Sequence, residues 1–247
     1  MEFYEKEFSS KSENLRSTKE GKQKWMDVYY TIFDTVKSLQ PDCIVSGKIG
    51  NDLGEYMTTS DNFLPRLSYE GDWELPATLN DTWGYKIGDE NFKSPDEVIR
   101  LLLKVVSRGG NYLLSIGPDG TGAVPKGSLD VLNEVGKYVK ENGEGIFGTK
   151  AMPYYPYELD WSELTRKEHK LYVHVLKKRE YIELPNIANH SVSAKVLKND
   201  RALEPQNTLN CEEISTIVIH LPKDLWKETN YCVEITLQEE GLEFLSL

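Results

Sequence analysis

Two neighbouring stretches decide the fold: Trp73–Lys86, WELPATLNDTWGYK, and Ser94–Gly148, SPDEVIRLLLKVVSRGGNYLLSIGPDGTGAVPKGSLDVLNEVGKYVKENGEGIFG. They read as strand, loop, capped helix, strand, glycine loop and helix, the alternation that builds parallel α/β sheets. Ser94 is placed to cap a helix, Pro95 fits its first position, and Glu97 closes a capping box. Gly109-Gly110 ends that helix, and Asn111–Ile116 is apolar enough for a buried strand. Pro118–Gly122 is a turn-rich loop. The next helix runs over Lys126–Glu141 and stops at Asn142-Gly143.

Upstream, Trp25, Val28, Tyr29, Ile32, Phe33, Val36 and Leu39 keep helical spacing, which predicts an amphipathic helix over Gln23–Leu39. Pro41 follows it, then Cys43–Val45 reads as a short buried strand. Ser46–Leu64 reads as a long loop, and Trp73–Leu79 as the next strand. Residues 1–24 are polar and carry little signal. Past Thr149 the pattern changes to short alternating segments: Leu171–Val175, Tyr181–Leu184, Val192–Leu197, Thr216–Leu221 and Tyr231–Leu237. That spacing predicts an antiparallel β-sandwich over 151–247. The fold class is therefore α/β followed by all-β.

Composition excludes several functions. A net charge of −11 argues against binding a phosphate backbone, which needs clustered Lys and Arg. Mean hydropathy is −0.51 and no apolar run reaches membrane-spanning length, so no membrane partner is expected. The four His all lie beyond residue 168, which removes the support for zinc or Ser-His-Asp chemistry in the first 150 residues. Cys43, Cys211 and Cys232 lack metal-site spacing, and an odd count leaves at least one free thiol. Cys211 and Cys232 could pair across the β domain; buried free thiols are the competing reading. No metal or other cofactor is expected. No signal peptide is legible at Met1, which leaves the compartment open. A P-loop reading of Gly117–Gly122 fails for want of the Lys-Ser/Thr that cradles phosphate.

The wording of residues 40–150 closely resembles the C-terminal half of the catalytic barrel of α-L-fucosidases, the retaining exo-glycosidases of glycoside hydrolase family 29. The resemblance implies that residues 1–150 are the C-terminal half of a (β/α)8 barrel, TIM-like, followed by the sandwich. It implies a fucosylated glycan as substrate and an exported parent protein, periplasmic or secreted.

Retaining glycosidases need two carboxylates about 5–5.5 Å apart, one nucleophile and one proton donor, and in barrels both sit where strands end. Acidic residues in the relevant loops are Asp52, Glu55, Asp61, Glu70, Asp72, Glu74 and Asp81. The resemblance of Gly54–Pro65, GEYMTTSDNFLP, to a family segment with an acid four residues before proline puts Asp61 in the role of general acid/base. Glu74 of Trp73-Glu74 is the alternative. Without the resemblance, Asp61 reads as a turn residue and Glu74 as a structural partner of Lys or Arg. Lys48 matches a position usually held by Arg, where a cation would bond a sugar hydroxyl or the nucleophile; Lys supplies a point charge rather than a fork. Otherwise it is a solvated strand-end Lys. Trp83 of Thr82-Trp83-Gly84-Tyr85 matches the apolar wall for fucose, a 6-deoxy sugar whose C5 methyl an indole rewards. Its ordinary reading is core packing.

The family's nucleophilic Asp lies in a strand end upstream of the helix that here ends Ser38–Asp42. Nothing before Lys24 resembles that strand, and the His-rich sugar-binding residues of the barrel's first half have no counterpart. A whole barrel takes about 250 residues, so the sequence reads as a fragment without its nucleophile. Half a barrel leaves open strand edges, which favours pairing with a missing half or forming a homo-oligomer. The alternative function is a non-catalytic carbohydrate-binding or scaffold fragment of a glycoside hydrolase.

Overall fold

The computed structural model describes residues 18–50, 53–66, 69, 71–152, 159–187, 189–209 and 215–238. The chain forms two compact units, Met1–Thr58 with Gly71–Glu74, and Thr59–Glu70 with Leu75–Leu247.

In the first unit, helix α1 spans Lys19–Leu39 and starts earlier than its apolar spacing predicts, because the Thr18 hydroxyl accepts from Gly21 N–H at 3.0 Å and caps it. It ends at Gln40, ahead of Pro41. Lys37 in the last turn binds the Cys43 carbonyl at 2.8 Å and the Glu55 carboxylate at 2.7 Å. Cys43–Val45 is not the buried strand expected from its apolar run. Only Ser46 forms a bridge, parallel, with Tyr56, and Ile44 is 69% exposed. The backbone bonds that a strand would need go to Lys37 and Glu55 instead: Glu55 accepts from Val45 N–H at 2.9 Å, and Glu55 N–H donates to Val45 O at 2.8 Å. Nor is Ser46–Leu64 all loop. A 3-10 turn forms over Gly47–Ile49, and strand β1, Met57–Thr58, pairs in parallel with the start of β2, Trp73–Thr78. Gly54 lies so close to Gly47 that a Cβ would fall 2.3 Å from the Gly47 Cα, so the turn requires glycine.

In the second unit β2 neighbours β3, Asn111–Ser115, with helix α2, Pro95–Val106, in the connection. The predicted capping box is formed: Ser94 Oγ accepts from Glu97 N–H at 3.3 Å and Glu97 Oε2 from Ser94 N–H at 2.7 Å. Ser94 N–H and the Ser94 hydroxyl, both donating to Oε2, hold the Glu97 carboxyl below the usual carboxylate range. Helix α3 follows over Lys126–Asn142. Leu79, Val98, Ile99, Leu103, Val131 and Val135 form the buried core of this part.

Past α3 the chain is antiparallel β, as predicted, but with more strands. Strands β4 (Lys150–Ala151), β5 (Ser162–Lys167), β6 (Lys170–Val175), β7 (Tyr181–Pro185), β8 (Ser191–Val196), β9 (Arg201–Leu203), β10 (Pro205–Leu209), β11 (Ser215–His220) and β12 (Tyr231–Leu237) are described. They form two sheets, ordered β4-β5-β6-β12-β8-β9 and β10-β11-β7. Leu171, Val173, Val175, Val233 and Ile235 of the larger sheet share one core with Ile182, Leu184, Ile217 and Ile219 of the smaller. Cys232 is a buried free thiol and Cys43 a half-buried one, so the Cys211–Cys232 pair is not formed; Cys211 lies outside the described residues, as do most of residues 1–24.

The other face of the larger sheet is polar and meets the helices. Ser107 donates to Glu163 at 2.7 Å, Arg100 to the Leu176 carbonyl at 2.8 Å, and Thr165 to the Gly145 carbonyl at 2.6 Å. Strand β8 pairs with β12 only from Val233 onward, which leaves Cys232 N–H without a ladder partner; the fully buried Asn142 side chain accepts from it at 2.9 Å. Asn142→Ala should therefore leave a buried donor unsatisfied and lower stability by about 1–3 kcal/mol in chemical denaturation. A variant as stable as the parent would mean that water reaches that amide.

Candidate active-site loops

The first unit carries Lys48 and Glu74. Glu74 is the second residue of β2 and half-buried. Its Oε1 accepts from the Thr58 hydroxyl at 3.0 Å, and Thr58 Oγ1 lies 2.7 Å from Ser46 Oγ. A hydroxyl has one proton. With Thr58 donating to Glu74, Ser46 must donate to Thr58, and Ser46 in turn accepts from Lys48 N–H at 3.2 Å. A directed chain thus links the backbone of Lys48 to the carboxylate of Glu74. The Lys48 residue itself is exposed on the Gly47–Ile49 turn. Glu55 belongs to the scaffold: the Lys37 ammonium, then Val45 N–H, hold its carboxyl below the ordinary range.

The second unit carries Asp61 and Trp83. Asp61 is exposed in a tight turn closed by Phe63 N–H to Ser60 O at 3.0 Å. Asn62 takes the left-handed φ of 55° that Asn tolerates. Its N–H donates to Pro76 O at 2.8 Å, and its Oδ1 accepts from Thr78 N–H at 2.9 Å. The turn is thereby fastened to the C-terminal end of β2. Trp83, 44% exposed, lies in the loop that leaves the same strand end. The loop's base is closed by Lys93, whose N–H donates to Leu79 O at 2.8 Å and whose ammonium binds Thr78 O. Ser115 donates to the Trp83 carbonyl at 3.0 Å. A Cβ on Gly117, whose φ is +52°, would come 3.3 Å from the Gly84 carbonyl carbon, so glycine permits this close approach of two loops. Thr82 lies 2.7 Å from Asp89 and Asn91 donates to Asp81 at 3.0 Å, bracing the loop from within.

Of the four residues singled out in the sequence, Lys48 and Glu74 are linked through Ser46 and Thr58, while Asp61 and Trp83 hang from one strand end. Trp83 is not core. The sequence reading missed Asn62, Thr58 and Ser46. Ser-Asp-Asn marks a turn, so Asn62 had a signal; the hydroxyl chain had none, because its members lie far apart in sequence. Among the described residues no three or more His, Cys, Asp and Glu stand close enough to hold a metal ion, and no helix is long and apolar enough to cross a membrane.

The sequence profile of the α-L-fucosidase family matches residues 8–144, more than half of the chain. The Alpha-L-fucosidase of Dictyostelium discoideum is 31% identical over 121 residues, 47% of this chain and 26% of its own length. The Tissue alpha-L-fucosidase of Homo sapiens is 32% identical over 115 residues, 45% of this chain and 24% of its own. Among solved structures, Alpha-L-fucosidase isoenzyme 1 from Paenibacillus thiaminolyticus superposes with a TM-score of 0.75 at 27% identity, covering 85% of this chain and 53% of that one. The matches thus span about a quarter of these curated relatives and half of that structure.

Asn62→Ala should remove the acceptor from Thr78 N–H while Asn62→Asp keeps it. Exchange of the Thr78 amide should accelerate in the alanine variant by up to about tenfold, the worth of one net hydrogen bond. Equal protection in both variants would detach the Asp61 turn from β2.

Proposed function

The chain belongs to the α-L-fucosidase family, and on that premise we propose that it supplies the acid/base side of a retaining enzyme that removes terminal α-L-fucose from glycans. The family match over residues 8–144 carries this reading. Residues 1–150 are read as the C-terminal half of a (β/α)8 barrel and 151–247 as a sandwich domain. Asp61 is the general acid/base, and Glu74 is the alternative.

In the first step Asp61 gives its proton to the glycosidic oxygen as the bond from that oxygen to the anomeric carbon breaks, and a carboxylate nucleophile bonds the same carbon. In the second step Asp61 takes a proton from water, whose oxygen displaces the nucleophile. The nucleophile is not among the residues of this sequence; a second stretch of chain supplies it. Two features favour Asp61. It stands at a strand's C-terminal end, where barrel enzymes carry their chemistry, and its turn is held by backbone bonds through Asn62. Trp83 offers an exposed indole on a braced loop, suited to the C5 methyl of fucose. Lys48 is an exposed cation that would bond a sugar hydroxyl.

Two assays test this. The 247-residue chain alone should show no turnover of an aryl α-L-fucoside, since a proton donor without a nucleophile cannot form the glycosyl intermediate. Robust turnover with retention would place the nucleophile within these residues. In the longer protein, Asp61→Asn should lower turnover by roughly 10²–10⁴, less on substrates whose phenolate leaves unprotonated, with partial rescue by azide. If Glu74→Gln shows that pattern and Asp61→Asn stays active, Glu74 is the acid/base. If neither affects a protein that binds fucosylated glycans, the chain is a binding module.

A further inference from the structure

His174, the penultimate residue of β6, is fully buried in the seam between α3 and the six-stranded sheet. Its Nε2 lies 2.9 Å from the Gly145 carbonyl, an acceptor only, so Nε2 carries the proton. Its Nδ1, 2.9 Å from the Tyr138 hydroxyl, is then the acceptor and Tyr138 the donor. The neutral ring is fully satisfied. It is also tightly enclosed, since a Cβ on Gly145 would lie 3.0 Å from both His174 Cε1 and Cys232 Sγ.

A protonated ring has no place in this arrangement. A second proton on Nδ1 would face the Tyr138 hydroxyl, which would have to turn and lose its acceptor. The acidic groups on these elements, Glu163 included, which stands opposite His174 in the β5–β6 register, are already engaged by other partners. On β5, Glu163 accepts from Ser107 at 2.7 Å and lies 3.7 Å from Arg108, and Thr165 is neutral. On β12, Glu234 is paired with Lys170 at 2.9 Å, and the Cys232 thiol is held protonated by burial. In the turn after α3, Glu144 is paired with the same Lys170 at 2.8 Å and accepts from Tyr172 at 3.2 Å. On α3, Tyr138 is held protonated by burial. We propose that this seam is an acid-operated latch, in which protonation of His174 separates α3 and its following turn from the sheet while the sandwich core stays folded.

The electrostatics agree in sign. Burial lowers His174 from an ordinary 6.5 to about 4, only partly offset by the Gly145 bond. A group lowered on closing binds its proton when the seam is open. Closure is therefore fully favoured above about 6.5 and weakens as pH falls toward about 4. Between pH 7 and pH 5 the opening constant should rise about 20-fold on those values.

Hydrogen exchange of the full chain, corrected for intrinsic rates, tests the latch. Cys232 N–H, bonded across the seam to Asn142, and Ile146 N–H in the turn should lose protection about 20-fold from pH 7 to pH 5. Ile219, in the smaller sheet, should not change. His174→Gln should abolish the pH dependence. Tyr138→Phe, which strips the donor from the neutral ring, should shift opening to higher pH, and it serves alone if the glutamine variant does not fold. A flat profile in the parent chain, an equal loss at Ile219, a persisting pH dependence in His174→Gln, or an unshifted profile in Tyr138→Phe would each overturn the proposal.

Discussion

The backbone groups of one short strand, Trp73–Thr78, hold both sets of loops that concern function. The strand is buried along nearly its whole length, so each of its N–H and C=O groups must find a partner inside the protein. β1 provides ladder partners only at Trp73 and Glu74. Farther along the strand, Asn62 receives Thr78 N–H and donates to Pro76 O. Proline at position 76 costs nothing there, because the group used is its carbonyl. The turn that carries Asp61 is therefore a consequence of finishing the strand's hydrogen bonding, and so is Lys93, which completes Thr78 and Leu79 from the far end of the Trp83 loop.

A second economy governs the larger sheet. Alternation puts Leu171, Val173 and Val175 into the sandwich core and Lys170, Tyr172 and His174 on the opposite face. An apolar second face would bind the helices more tightly but would be insoluble if ever uncovered. The polar face instead satisfies itself against helix ends: the Gly145 carbonyl, the Asn142 amide and Ser107 all lie where helices leave unmet groups or turn away. Such a seam is specific, since each group needs its partner.

The legible parts of the sequence were those fixed by local rules. Ser94–Glu97 announced a cap, Gly109-Gly110 an end, and the alternation after Thr149 a change to antiparallel strands; the described structure carries all three. Cys43–Val45 failed because an apolar run predicts burial only if something covers it, and Ile44 faces solvent. Short strands such as β9 and β10 were missed because their residues are mostly exposed and show no apolar alternation. Trp83 illustrates the opposite case. Composition alone makes a tryptophan core, and only the resemblance assigned it to a loop surface.

The choice between the two carboxylates also has a physical side that sequence could not supply. A proton donor in glycoside hydrolysis must reach an oxygen that belongs to the substrate, then a water that replaces it, so it needs an accessible carboxyl. Asp61 is exposed, in a turn that Asn62 fastens to the strand through its N–H and its Oδ1. Glu74 stands on the strand itself with Oε1 already receiving the end of the Lys48–Ser46–Thr58 chain. A carboxylate so engaged has the direction of one oxygen set by the scaffold around it.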